Sequence, residues 1–141
     1  MKSKLKILGW LLLLIACSDD EPVPQADCAM VACTQEFVII TVRVQDKDGV
    51  NIPLDDFAVT DKISGEDLTV SYTPAELEEF RQSGTYPLYD DRFALEFQNK
   101  KRSILFNGSI NGVNKVSSLF VVGADCCHVS LVSGDPLIIL K

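Results

Sequence analysis

What most constrains this chain is a series of short apolar segments with alternating side chains, interrupted by turn-forming residues every eight to twelve positions from Glu36 onward. Alternation of that period places successive side chains on opposite faces of an extended strand, so each segment needs only one covered face. Between Phe37 and Gln45, Val38, Ile40, Val42 and Val44 share a face. Asp46-Lys47-Asp48-Gly49 then turns the chain, with Gly49 free to take the positive φ that a bulged hairpin loop requires. Further segments are predicted at Phe57–Thr60, Leu68–Tyr72, Phe93–Gln98, Arg102–Ile110, Val116–Gly123, Cys126–Val132 and Leu137–Leu140, with Asn111-Gly112 as a short hairpin turn. Seven or eight strands without a helix long enough to cover a sheet predict an all-β fold. The economical form is a two-sheet antiparallel β-sandwich that buries both sets of inward side chains.

One helix interrupts the strands. Thr73-Pro74-Ala75-Glu76 combines a capping hydroxyl, Pro at the first helical position and Glu placed to bond back, so Pro74–Gln82 is predicted as a short crossover helix stopping near Gly84. Leu77 and Phe80 are spaced to lie on its buried side, with Glu76, Glu78, Glu79 and Arg81 in water. A length of 141 residues with 47% hydrophobic residues accommodates one domain, at residues 36–141, and excludes a collagen-like repeat, a disordered chain and a multi-span membrane protein.

The first residues follow a different logic. Lys2, Lys4 and Lys6 precede a charge-free apolar run from Ile7 to Ala16, ten residues long. Spanning a bilayer takes about 20 apolar residues, whereas about 7–15 behind a basic start form the hydrophobic region of a secretory signal peptide. Leu14-Ile15-Ala16-Cys17 resembles the lipobox of bacterial lipoproteins. The resemblance implies cleavage after residue 16, a thioether diacylglycerol on Cys17 and an acyl chain such as palmitate on its amine. Each buried methylene of such chains contributes about 0.8 kcal/mol, so several chains anchor a domain that does not itself insert. The alternatives are a plain secretory peptide, with Cys17 in place by chance, and a short buried core helix.

Removing residues 1–16 takes three Lys from the 13 Lys+Arg and none of the 20 Asp+Glu, leaving a formal charge of −10. An acidic domain of that kind repels polyanions, and nucleic acid is not an expected partner. Ser18 after the Cys resembles the non-Asp sorting signal for the Gram-negative outer membrane. Asp19-Asp20-Glu21 resembles the acidic export signal of Bacteroidetes surface lipoproteins, or is a solvated charge run in a linker, so a periplasmic and a surface-facing orientation both stand. Ser18–Asp27, with two Pro and four acids, reads as an extended tether, and residues 17–35 together form a lipidated, cysteine-bearing N-terminal segment.

The phrase Val42-Arg43-Val44-Gln45-Asp46-Lys47-Asp48-Gly49-Val50-Asn51-Ile52-Pro53-Leu54 resembles the opening of carboxypeptidase regulatory-like and transthyretin-like domains, and Gly84-Thr85-Tyr86-Pro87-Leu88 with Asp90-Asp91 resembles a later phrase of the same families. Ala124-Asp125-Cys126-Cys127-His128-Val129 with Leu131-Val132-Ser133-Gly134 resembles small uncharacterised Bacteroidetes-type lipoproteins. These resemblances imply an Ig-like β-sandwich and carry over no catalytic residue.

With Cys17 assigned to lipid, Cys28, Cys33, Cys126 and Cys127 remain, and an even number in an exported domain points to disulfides. Of three connectivities, Cys28–Cys33 with Cys126–Cys127 is disfavoured, because bridging adjacent residues strains the bond. The other two both tie the N-terminal segment to the late strand, and composition and spacing do not choose between them. Closing a loop of roughly 95 residues contributes up to about 4–5 kcal/mol on the chain-entropy model.

A zinc site from Cys28, Cys33, Cys126 or Cys127 and His128 is the competing reading, but Cys126-Cys127-His128 is not a regular half-site and adjacent strand residues face opposite ways. No metal or other cofactor is expected. The lone His128 limits nucleophilic chemistry to a Cys126–His128 thiolate pair, and Gly108-Ser109-Ile110-Asn111-Gly112 lacks the spacing of a nucleophile elbow. Asp46, Asp48 and Asn51 beside Gly49 fall short of a calcium loop because Phe57 stands where its bidentate Glu is required. The paired acids Asp55-Asp56 and Asp90-Asp91 are neighbours in sequence and do not oppose one another as glycosidase carboxylates do.

The sequence therefore predicts a lipid-anchored cell-envelope protein of the outer membrane, non-enzymatic, serving as a binding or structural module. Its partners would be the membrane through the lipid and an envelope protein or glycan. A thiol- or metal-dependent envelope enzyme centred on Cys126, Cys127 and His128 is one alternative, and a carbohydrate- or peptide-capturing accessory lipoprotein another. Trp10 leaves with the signal, so an aromatic platform would have to come from Tyr residues. The segment Gly84–Asp91, bearing Tyr86, Tyr89, Asp90 and Asp91, is the candidate ligand loop, with a packed tyrosine corner as its structural alternative.

Overall fold

A computed structural model describes residues 27–141. The leader at residues 1–16, Cys17 and the tether up to residue 26 lie outside the described residues. Among those described, no helix is long and apolar enough to cross a membrane.

Two sheets face one another. One has the order β3-β1-β7 and the other β2-β4-β5-β6, built from β1 (Ile39–Asp46), β2 (Asp56–Asp61), β3 (Thr85–Asp90), β4 (Lys100–Ile110), β5 (Val113–Ala124), β6 (Val129–Ser133) and β7 (Leu137–Leu140). The fold is thus a two-sheet β-sandwich with one helix, α1 (Pro74–Ser83), on the crossover from β2 to β3. The four-stranded sheet is antiparallel throughout. In the three-stranded sheet β1 pairs antiparallel with β3 but parallel with β7, from Arg43 opposite Leu137 to Asp46 opposite Leu140. The expectation of purely antiparallel sheets is corrected there: alternation reports which face is covered, not strand direction.

Each inner face is the alternating set of its strands. Val42 and Val44 of β1 and Tyr86 of β3 pack against Phe57 and Val59 of β2, Ile104 and Phe106 of β4, and Phe120 and Val122 of β5. Aromatic rings concentrate at the centre, where Phe57 lies 5.4 Å from Tyr86, 6.0 Å from Phe106 and 6.3 Å from Phe80 of α1, centroid to centroid. Separations in this range, with tilted or edgewise planes for most pairs, suit the ring quadrupoles.

Local codes set the element ends. Thr73 accepts from the Glu76 backbone N–H and Glu76 bonds back to the Thr73 N–H at 2.7 Å, closing a capping box with Pro74 inside the first turn. Gly84 ends α1 in the left-handed conformation at φ 63°. Asn111 and Gly112 both take positive φ, 53° and 71°, the two-residue turn that matches the twist of β4 and β5. Asp55 holds that turn from outside by accepting the Asn111 N–H.

Four expectations are corrected. Leu68–Tyr72 is not a strand of either sheet: it runs extended beside β2, with Leu68 N–H bonded to Val59 O at 2.8 Å and one bridge at Asp67. Phe93–Gln98 is a 3-10 turn (Asp91–Phe93) followed by further turns, because Phe93 stacks on Tyr89 while Phe97 lies under Arg102 and Leu95 points to solvent. Cys126–Val132 yields a strand only from Val129, since the preceding residues form a turn on the Asp125 side chain. On α1, Phe80 packs on the core as predicted, but Leu77 is 40% exposed.

Candidate functional site

The described chain begins at one end of the sandwich. There Cys28 is bonded to Cys126 and Cys33 to Cys127, with Cα–Cα distances of 5.1 and 5.3 Å. This is one of the two connectivities that tie the N-terminal segment to the body, and it disposes of the disfavoured pairing of neighbours. Two adjacent cysteines can serve partners five positions apart because they sit in a turn rather than a strand. The Asp125 carboxylate accepts the N–H groups of Cys127 at 2.6 Å and His128 at 2.8 Å, and these two bonds hold its own pKa below the usual carboxylate range. Gln98 Nε2 donates to Cys126 O at 3.0 Å from the neighbouring loop.

Beside the staples lies a continuous hydrogen-bonded chain. Thr34 Oγ1 is 2.9 Å from His128 Nε2, and His128 Nδ1 is 2.7 Å from Asp91 Oδ2. Asp91 also accepts the backbone N–H of Val38 at 2.8 Å and that of Val129 at 2.8 Å, so one carboxylate fixes the entry to β1, the start of β6 and the imidazole. Burial pushes the Asp91 pKa up, but the bonds from Val38, His128 and Val129 outweigh it and the net shift is downward. His128 is shifted upward, chiefly by its hydrogen bond to Asp91, against a smaller effect of desolvation. Exposure falls along this series: Thr34 is at the surface, the His128 side chain is 24% exposed and that of Asp91 8%.

The candidate ligand loop is corrected. Tyr86, Tyr89 and Asp90 belong to the buried strand β3, and only Asp91 lies beyond it, in the chain just described. The Tyr86 hydroxyl accepts the Leu54 N–H at 2.6 Å and donates to Ile52 O at 3.3 Å, pinning the chain between β1 and β2; this is the packed tyrosine role. Tyr89 stacks on Phe93 with centroids 4.7 Å apart, and burial pushes its pKa up to about 12. Asp90, 1% exposed, receives the Arg92 guanidinium on both oxygens at 2.6–3.0 Å. No sugar-stacking platform is formed by these side chains.

The thiol and zinc readings lose their chemistry in the same way. Cys28, Cys33, Cys126 and Cys127 are all consumed in disulfides, and among the described residues no group of three or more His, Cys, Asp and Glu could hold a metal. Cys126 is accordingly not a thiolate beside His128.

Two features escaped the sequence reading. Thr34 carries no signal of its own; it follows Cys33 as His128 follows Cys127, and with those cysteines bonded the two next residues meet. The second is an inner-face ion pair: Arg102 Nε lies 3.2 Å from Asp61 Oδ2 and Nη2 lies 3.5 Å from Glu66 Oε2, while the guanidinium covers the Phe97 ring at 3.4 Å. It borders an open cleft of about 420 Å³, in which the Asp61 and Glu66 carboxylates already neutralise the cation. No family model, no curated protein and no solved structure matches the chain.

Proposed function

We propose that this chain is a lipoprotein of the bacterial cell envelope, anchored at the outer membrane through acylated Cys17, and that it works as a non-enzymatic binding or structural module of the Ig-like kind found in carboxypeptidase regulatory-like and transthyretin-like domains. The observation that carries the reading is the pair of staples: Cys28 and Cys33 are covalently joined to the body eleven and sixteen residues beyond Cys17. Disulfides persist in oxidising compartments outside the cytosol, which agrees with export behind a cleaved leader. Drag on the anchored end would enter the fold at Cys126 and Cys127 instead of peeling the first strand from its sheet.

The geometry also gives the module a direction. β4 runs from Lys100, paired with Ala124 beside the staples, to Ile110 at the Asn111-Gly112 turn. At about 3.3 Å per residue that strand carries the far turn some 35 Å from the tethered end. An extended tether of the eleven residues from Cys17 to Cys28 would add up to about 40 Å. A partner would therefore be met at the end bearing Asp46–Asn51, Asp55 and the β4–β5 turn.

Metabolic labelling with palmitate and membrane fractionation test the anchoring. The full chain is expected to be labelled and to sediment with outer membranes, and Cys17→Ala to be unlabelled and released. Equal labelling of both would remove the proposal.

A further inference from the structure

The chain contains a single His, and that His has a surface hydroxyl on one ring nitrogen and a buried carboxylate on the other. The order hydroxyl, Nε2, Nδ1, carboxylate is the connectivity that lets an imidazole take a proton from a nucleophile while its charge is met from behind. Each member is also held independently. Asp91 is fixed by the N–H groups of Val38 and Val129, His128 by its own N–H on Asp125, and Thr34 by the bond from its neighbour Cys33 to Cys127. A mere clasp for the N-terminal segment would be redundant beside two disulfides, and the hydroxyl is the member left facing solvent.

We propose that Thr34 is an activated hydroxyl that captures an acyl group covalently from a donor of the ester or thioester class. Thr34 Oγ1 bonds to the donor carbonyl carbon as the bond from that carbon to the leaving oxygen or sulfur breaks. The hydroxyl proton passes to His128 Nε2 and from there to the leaving alcohol or thiol, with no change of oxidation state. Asp91 keeps the proton on Nδ1 and balances the transient imidazolium. The inference goes beyond the binding role above and does not depend on the lipid anchor; it makes the module one that links its partner through an ester.

The probe is p-nitrophenyl acetate, applied to the mature chain purified in detergent, with intact mass and peptide mapping. The expected result is one acetyl group on Thr34, retained in Thr34→Ser and absent in Thr34→Ala. His128→Gln should slow acetylation at that position by about 10²–10⁴-fold, the usual contribution of a positioned base, while keeping both disulfides by mass. The rate at Thr34 should rise as His128 loses its proton, above the ordinary value near 6.5, since Asp91, Asp125 and Glu36 all face it and favour its charged form. Release of p-nitrophenol beyond one equivalent, abolished by Thr34→Ala, would support the activated hydroxyl and overturn only the non-enzymatic reading. No adduct at Thr34, or an equal rate in folded His128→Gln, would overturn the proposal whatever the palmitate result.

Discussion

Removing the disulfides one pair at a time should give stability losses that do not add. Cys28–Cys126 and Cys33–Cys127 close loops with sequence separations of 98 and 94, and the chain-entropy relation assigns about 4.7 kcal/mol to a single closure of that length. The two closures overlap, however: once either exists, the other closes only the short path from Cys28 to Cys33 and across the Cys126-Cys127 peptide. For a loop of about seven residues the same relation gives about 2 kcal/mol. The paired substitution Cys28→Ala/Cys126→Ala should therefore cost about 2 kcal/mol, Cys33→Ala/Cys127→Ala a similar amount, and the fourfold variant about 7 kcal/mol. Equilibrium urea unfolding without reductant, with the slope checked for constancy, measures all three. Single-pair losses of about 4–5 kcal/mol each, summing to the fourfold loss, would refute the overlapping-loop reasoning.

Phe106→Ala should cost about 3–5 kcal/mol by the same assay, since the ring is fully buried among Phe57 and Tyr86 and its removal leaves a cavity. Thr73→Ala removes the side-chain half of the capping box, the Thr73 hydroxyl that accepts the Glu76 N–H, while keeping the Thr73 N–H on Glu76, and should cost about 1 kcal/mol, read as a lowered unfolding midpoint with the slope unchanged. The pH profile should fall on both sides. Asp61 and Asp91 have folded pKa values below 3.8, so their stabilisation is complete above that value and is lost as pH falls through the lower folded values. His128 has a folded pKa above 6.5, so its contribution is complete below 6.5 and is lost as pH rises through the folded value; His128→Gln should flatten that upper limb in urea titrations across pH.

The parts of the fold that could be read from the sequence are those governed by near neighbours. The Thr73-Pro74-Ala75-Glu76 cap and the Asn111-Gly112 turn depend on bonds within four residues, and β1, β2, β4 and β5 follow from alternation with one inner face. Strand β3 was hidden because it is covered on nearly every side. Tyr86 and Tyr89 reach the core, while the acid Asp90 is buried without contradiction because Arg92, two residues on, satisfies it. Phe93–Gln98 shows the opposite failure: Phe93 and Phe97 alternate like a strand but serve separate partners, Tyr89 and Arg102. The Thr34–His128–Asp91 chain joins three segments far apart in sequence: the Cys33–Cys127 bond brings Thr34 beside His128, and the Asp91 bonds to Val38 and Val129 bring the carboxylate to the imidazole.

The most direct test of the account is the mass of the N-terminal peptide from protein isolated out of its native envelope. A peptide beginning at Cys17 and carrying diacylglycerol with an N-acyl chain is the predicted result. A chain that retains residues 1–16, or one that begins with an unmodified residue, would contradict it.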